Sequence, residues 1–379
     1  MRSLLAGFGL QLRRMVSERR YRVMLLLLVG LSCVGAQIYR SQVLRDLPIA
    51  VVDLDNSSLS RRLRFFLGSM RELRLTGEYV GSQEQARDAL ATGRIASIVV
   101  IPSSFSSDIK AGRKGEVLVA VDMSNILVGK NAHKAIARAV GTLGAGVQVT
   151  TLRKLGVRGD GALTATVPVV VDENFTFNPA TNYSVYIVPG LVFFLLHVCV
   201  VVLGATIMLP GRAPQGFLGK LGAAAAVWLT GMLLGAGLLA VVLPWLQMTP
   251  ASGATGPMAL IGALVAADLV FVTAAFSIVP DALTAMELTV MVAMLSLMLS
   301  GITWPTDMFP DWLQQASRWL PFTPFARGLR AMLHHAAPGQ DAWLWVGEMA
   351  RQAAVFALLG AAAELTRTIT RHVRARRVA

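Results

Sequence analysis

The sequence is short of charge and of reactive chemistry. Only 15% of its 379 residues are charged, against about 25% in soluble domains, which argues against a globular protein with a fully wetted surface. Cysteine occurs twice, at Cys33 and Cys199, so a disulfide framework is excluded. With no CxxC and no Cys/His cluster, a structural metal is excluded too. Both cysteines fall in long apolar runs, where a thiol packs as a small hydrophobe. GxGxxG, GxSxG and a paired nucleophile and base are missing. So is the phosphate loop GxxxxGKS/T: Gly216-Phe217-Leu218-Gly219-Lys220 imitates it, but it is too short and runs on to Leu221. The chain is not expected to hydrolyse ATP, to bind a cofactor or metal, or to be an enzyme.

What it has is apolar length. Hydrophobic residues make up 54% and mean hydropathy is +0.58. Five segments, 183–209, 221–246, 258–279, 286–302 and 343–363, are each long enough as helices to cross a hydrocarbon core of roughly 30 Å. A sixth, 23–40, precedes them. It reads as an uncleaved span, although Val34-Gly35-Ala36 imitates a signal-peptide cleavage site, because the basic leader before it is too long. The net charge of +13 is concentrated in two places. Arg13, Arg14, Arg19, Arg20 and Arg22 precede the first span, and Arg367, Arg371, Arg374, Arg376 and Arg377 follow the last. That is the positive-inside pattern of a membrane protein rather than a nucleic-acid surface. The expected fold is a polytopic α-helical membrane protein of six transmembrane helices, with an extracytoplasmic α/β domain inserted at 41–178.

Residues 1–22 pair Leu4, Leu5, Phe8 and Leu12 with the arginines. They suit either an amphipathic helix on the cytoplasmic surface or a plain basic flank. In 41–178 the apolar β-branched runs 48–54 (PIAVVDL) and 95–101 (IASIVVI) read as strands buried on both faces. Helices at 58–67 and 83–92 and strands at 73–79 and 116–122 complete a β-α-β-α-β-α-β order, which implies a largely parallel sheet. Ser82 with Gln85 fits a capping box and Gly93 the C′ position. A helix at 126–155 and an extended run at 167–177 lead back to the membrane. Asp53, Asp55 and Asp122 end strands, where α/β sheets often bind ligands. Ser57, Ser58 and Ser60 beside them fit helix capping better than catalysis.

Counting crossings from a cytoplasmic N-terminus puts the insert outside. The loop 211–220, with Arg212 and Lys220, and the basic tail 366–379 then lie inside. Within the five-helix part, 183–365, prolines break the segment 303–336: Pro305, Pro310, Pro321 and Pro324, with Trp304 at its start. One continuous helix is impossible there. Two short amphipathic helices, 311–320 and 325–335, are expected to dip into the outer leaflet as a re-entrant pair, with Thr323 as N-cap and Pro324 at the first helical position. The competing picture is a pair of surface helices with a belt of Trp304, Trp312 and Trp319. Ionisable residues inside spans are costly and should face protein or water. Asp268 is the main one, either an inter-span or pathway contact or a headgroup-level residue. Glu348 and Arg351 suit each other at i,i+3, and His197 reads as a packed residue.

Four stretches in order along nearly the whole chain carry a resemblance: 48–62 (PIAVVDLDNSSLSRR), 98–108 (IVVIPSSFSSD), 177–191 (FNPATNYSVYIVPGL) and 300–330 (SGITWPTDMFPDWLQQASRWLPFTPFARGLR). They resemble the type-2 ABC exporter permeases, in particular the bacterial drug-efflux branch with a large extracytoplasmic domain after the first span. The resemblance implies a permease subunit in the bacterial inner membrane, both termini cytoplasmic. It would pair with a second permease and be driven by separate ABC ATP-binding subunits that carry the ATP and Mg. A periplasmic adaptor and an outer-membrane channel are further partners it implies. An amphipathic or hydrophobic substrate would leave the cytoplasm or inner leaflet. Arg13, Arg14, Arg212, Gln215 and Lys220 would face the ATPase; Asp268, Trp304, Pro305, Pro310, Pro321 and Pro324 would line the pathway or its gate. One departure stands out: family members carry an acidic residue and a Gly-Thr pair in the loop before the third span. Here 205–220 (ATIMLPGRAPQGFLGK) keeps only Gly219-Lys220. The rival class is a membrane-anchored receptor whose α/β domain binds a ligand, though the inward segments offer it no signalling domain.

Overall fold

The computed structural model describes residues 1–38, 44–77, 83–154, 183–211, 216–246, 248, 253–334 and 341–378. The chain divides into two compact units, Met1–Arg40 with Phe175–Ala379, and Ser41–Asn174. The second unit thus interrupts the first in sequence.

At the N-terminus, α1 (Arg2–Ser17) and α2 (Arg19–Ile38) are separated by Glu18, whose backbone turns extended. Residues 2–17 therefore form a true helix. Its buried face, Gly7, Gln11 and Met15, lies against another helix, described below. In α2, three arginines give way to an apolar run whose Leu26, Leu27, Val29 and Val34 are exposed.

The α/β unit is a three-layer sandwich. Strands β1 (Leu47–Asp53), β2 (Leu73–Leu75), β3 (Ser97–Ile101) and β4 (Leu118–Val121) form one sheet in the order β2-β1-β3-β4. Alternation splits each central strand between two cores. Leu47, Ile49, Val51, Val99 and Ile101 pack under α3 (Ser58–Ser69), α5 (Phe105–Lys110) and α6 (Ile126–Lys154). Ala50, Val52, Ile98 and Val100 pack under α4 (Gln83–Ala91). The sheet is not all parallel. β1 pairs in parallel with β2 and β3, but β4 runs antiparallel to β3. The connection from β3 to β4 carries the short helix α5, of six residues, flanked by loop.

Helix ends in this unit follow local rules. Ser57 Oγ accepts the amides of Leu59 and Ser60 at the start of α3. Gly93, at φ +69, ends α4 with its amide on Leu90 O and the Arg94 amide on Ala89 O, a Schellman closure. Ser82 and the run 167–177 lie outside the described residues.

Five helices among the described residues are long and apolar enough to cross a membrane. They are α7 (Tyr183–Met208), α8 (Gly216–Trp245), α9 (Thr255–Ile278), α10 (Ala282–Leu299) and α13 (Ala342–Val378). α8 widens to a π turn over Leu238–Val242, just ahead of Pro244, which has no N–H to give and whose ring crowds the preceding turn. α13 takes in both the last expected span and the basic tail. Its 37 residues extend about 56 Å, so the tail is the helix continued rather than a separate segment.

The contacts set the helix directions. Gly204 of α7 meets Leu269 and Val272 of α9, and His197 meets Asp268, so these two run parallel. Gly231 and Gly235 of α8 rest on Val265 and Ile261 of α9 in reverse order. His197 meets Ser296 of α10, while Gly190 meets Ile302 just beyond it, again antiparallel. Phe271 and Phe356 stack at 5.3 Å and Gly360 touches Ala274, so α13 runs with α9. α7, α9 and α13 therefore point one way and α8 and α10 the other. α1 runs parallel to α8. A Cβ on Gly7 would overlap the Gly219 carbonyl, one on Gly222 would overlap Leu4 O, and Thr230 reaches Met15 Sδ at 3.4 Å.

Between α10 and α13 lie a 3-10 turn (Thr306–Met308), α11 (Asp311–Ser317) and α12 (Phe322–His334). α12 starts three residues before the expected 325, so Thr323 is inside the helix and does not cap it. Thr323 Oγ1 is buried without a hydrogen-bond partner. Pro305 and Pro310 instead occupy N-cap positions.

Candidate functional site

The bundle is almost wholly apolar, so its few buried polar groups mark its centre. Asp268, in the middle of α9, is fully buried, and His197, near the middle of α7, is 2% exposed. Their side chains meet, His197 Nδ1 to Asp268 Oδ2 at 2.9 Å. On its other edge, His197 Nε2 lies 3.2 Å from Ser296 Oγ of α10. Three helices are thereby joined at one level by one polar string. Asp268 is thus an inter-helix contact.

Aromatic rings enclose the string. Phe322, the first residue of α12, stacks on the His197 ring at 5.1 Å and 25°. Phe194 lies 6.2 Å from the same ring, and Phe325 joins Phe322 to Phe193 at 5.7 and 5.5 Å. The corner between α11 and α12, including buried Pro321 and Pro324, is thus pressed against the middle of the bundle. Gln352 of α13, 2% exposed, donates to the Arg318 carbonyl at the end of α11. Nearer the start of α7, Arg330 of α12 donates to Gly301 O at 3.0 Å and lies 4.8 Å over the Tyr186 ring. It holds the left-handed turn at Gly301, φ +87, against α7.

The hydrogen-bond pattern fixes how many protons the string holds. Ser296 Oγ lies 2.6 Å from Ala293 O and donates there, so it must accept from His197 Nε2–H. A second proton then lies between Nδ1 and Oδ2. Wherever along that contact it sits, the Asp268–His197 pair carries no net charge, as a buried pair in an apolar bundle must. Asp268 Oδ1 is buried with no hydrogen-bond partner. The order Asp–His–Ser is that of a hydrolytic triad. Yet the serine proton is committed to its own helix and Ser296 is 1% exposed, so no nucleophile is presented.

The expected pathway residues therefore divide. Asp268, Pro321 and Pro324 come together in and around this centre. Trp304, Pro305 and Pro310 are exposed and lie away from it along the chain's entry to α11. Glu348 is half-buried and Arg351 exposed; among the described ion pairs none joins them. Of the residues expected to meet an ATPase, Arg13 is exposed, Arg14 pairs with Glu18 at 3.8 Å, and Lys220 is half-buried in the first turns of α8. The glycine contacts of α1 with α8 bring these two helices side by side. Arg212 and Gln215 lie outside the described residues. Sequence reasoning missed Ser296, Phe322 and Gln352. A signal for the first existed: Thr289, Ser296 and Ser300 recur on one face of α10, and all three are buried.

In the α/β unit the strand-end acids hold turns. Asp53 Oδ1 accepts the amides of Asp55 and Asn56, and Asp122 accepts that of Ser124. Asp55 Oδ1 accepts both the amide and hydroxyl of Ser106. Burial pushes the Asp55 carboxyl up, but the hydroxyls of Ser57 and Ser106, the Ser106 amide and Lys110 outweigh it and hold it below the usual carboxylate range. Glu72 follows the same pattern: burial is outweighed by Arg138, 2.5 Å away. Among the described residues no group of three or more His, Cys, Asp or Glu is arranged to hold a metal.

Compared with known families, residues 19–362 match the model of the ABC-2 family transporter protein. No curated protein and no solved structure matches.

Proposed function

The chain belongs to the ABC-2 transporter family, and from that premise we propose that it is the permease of an ATP-driven exporter with six transmembrane helices. Membership makes it a multi-pass membrane subunit that works with an ATP-binding partner, not an enzyme. The finer reading is ours. α2 is the first span, both termini are cytoplasmic, and the α/β unit stands outside, where it forms a vestibule or docks a periplasmic adaptor. The observation that carries the reading is the alternating direction of α7, α8, α9, α10 and α13. Alternation is what successive crossings require. The basic extension of α13 then lies on the same side as the start of α8 with Lys220, in keeping with the positive-inside rule.

Two such permeases, alike or different, would rock against each other as their ATPases close and open. An amphipathic or hydrophobic substrate would leave past the centre sealed by Phe322. The loop 211–220 lacks the acidic residue that the resemblance leads one to expect there. We read this chain as the less strongly coupled half of a heterodimer. The test is gentle solubilisation of tagged chain from native membranes and identification of its stoichiometric partners. Recovery of an ATP-binding subunit with a second, different permease is expected. If no ATPase comes with it in several detergents, the exporter reading fails; full ATPase stimulation by a homodimer removes the heterodimer reading alone.

A further inference from the structure

We propose that the Asp268–His197 pair is a cation-exchange site, where a lipophilic organic cation displaces the imidazole and one proton leaves as one substrate enters. The inference rests on the permease reading and names the substrate class for it. Its starting point is the space that the imidazole fills. That space has a carboxylate at one end, 2.9 Å from Nδ1, and a hydroxyl at the other, 3.2 Å from Nε2. Phe322 covers one ring face at 5.1 Å, and Phe194 stands 6.2 Å away. A carboxylate framed by aromatic faces is the chemistry that recognises an organic cation.

Electroneutrality makes the exchange workable. A lone carboxylate in this apolar bundle is strongly disfavoured, so Asp268 must always have a positive partner or a proton. In the structure the shared proton of the pair meets that need. When a cation takes the place of the imidazole, Asp268 stays ionised against it. His197 leaves as neutral imidazole, and the proton it shared passes to water. When the cation departs, His197 takes a proton back and closes the centre. Among the described residues the buried polar groups of the helices packed around the pair are the hydroxyls of Ser296 and Thr289 on α10, the Thr323 hydroxyl on α12 and the amide of Gln352 on α13; Arg327 of α12 and Glu348 of α13 are half-buried, and neither pairs with Asp268. Arg330 on α12 is engaged with Gly301 and Tyr186. Among the described residues no charged group other than His197 pairs with Asp268. Its free Oδ1 is a second acceptor that the closed state leaves unused.

The site opens where the structure is jointed. Phe322 begins a helix immediately after the Trp319–Pro321 corner, so a small withdrawal of α12 lifts the ring from His197 without breaking α7, α9 or α10. Gln352, joined to Arg318, ties that corner to α13.

The experiment uses the purified full-length chain in lipid nanodiscs, without ATP. The probes are benzyltrimethylammonium, a permanent organic cation, and its neutral isostere neopentylbenzene. Saturable binding of the cation but not the neutral compound is expected. Binding should weaken as pH is lowered, because protons compete, and near pH ~8 roughly one proton should be released per cation bound. Asp268→Asn should weaken binding about tenfold or more. His197→Gln leaves Asp268 to hold the proton itself, so it should keep both binding and proton release, while folded Asp268→Asn should lose proton release. Should Asp268→Asn fail to fold, the release of about one proton per cation bound by wild type, with none for the neutral probe, decides alone. The proposal is overturned by absent cation binding, by equal binding of the neutral probe, by wild-type binding without proton release, or by undiminished binding in folded Asp268→Asn. Binding needs no ATPase, so it can succeed where co-purification fails, and the reverse.

Discussion

In the α/β unit, Asp53 gives Oδ1 to the amides of Asp55 and Asn56, two and three residues away, and Ser57 caps the helix it precedes. In the bundle, Asp268 meets His197 across 71 positions and His197 meets Ser296 across 99. Both arrangements satisfy polar groups in a crowded place. Most of the α/β unit's acids stand near water and hold local turns. The acid of the bundle has no water and no local donor, so its partner must come from another helix. Where solvent is near, polar residues can be placed one by one; where it is absent they must be placed in sets.

The sharpest way to break this contrast is to remove one member of each set. Asp268→Ala leaves the His197 proton without its acceptor and should cost about 3–5 kcal/mol, whereas the paired change Asp268→Leu with His197→Phe should recover most of it. Thermal unfolding of the detergent-solubilised chain reads both; equal losses in single and double variants would show that the polar string is not a set. Glycines offer the next comparison. Gly222→Val drives a side chain into the backbone of α1 and should cost about 1–3 kcal/mol, while Gly93→Ala meets nothing and should cost only the left-handed conformation, about 1 kcal/mol. Hydrogen exchange of the full chain should show the first loosening α1 and the second only the end of α4. Ser57→Ala should follow at about 1 kcal/mol, confined to the start of α3.

The smallest effect is that of acid on the α/β unit. The Asp55 and Glu72 carboxyls are held below their usual range. The stability they add is therefore fully present above the unfolded values near pH ~4 and is lost as pH falls through the lower folded ones. Exchange protection in α3 and around Ser106 should fall on acidification below about pH 4, and Asp55→Asn should show a shallower decline.

Much of this was legible beforehand, for physical reasons. Apolar runs long enough to span lipid announce themselves, because every backbone group in a bilayer must be satisfied within its own helix. Gly93 and Ser57 were readable because caps act over three or four residues. The expected strand at 116–122 is present as β4 and the sheet is largely parallel, but the antiparallel direction of β4 was not legible, because β-α-β order does not fix the direction of each strand. Thr323-Pro324 imitated a helix start, but Phe322, docked on His197, begins the helix earlier.

The sequence by itself determined that this is a multi-span membrane protein interrupted by an α/β unit, with most of its net positive charge at its ends, because hydropathy and charge act through local solvent preference. Only the tertiary structure decided that Asp268, His197 and Ser296 form one centre, that Phe322 closes it, and that α1 lies on α8. Each depends on which helix faces meet, and a buried polar group in an apolar bundle takes its partner from whatever face packing brings to it.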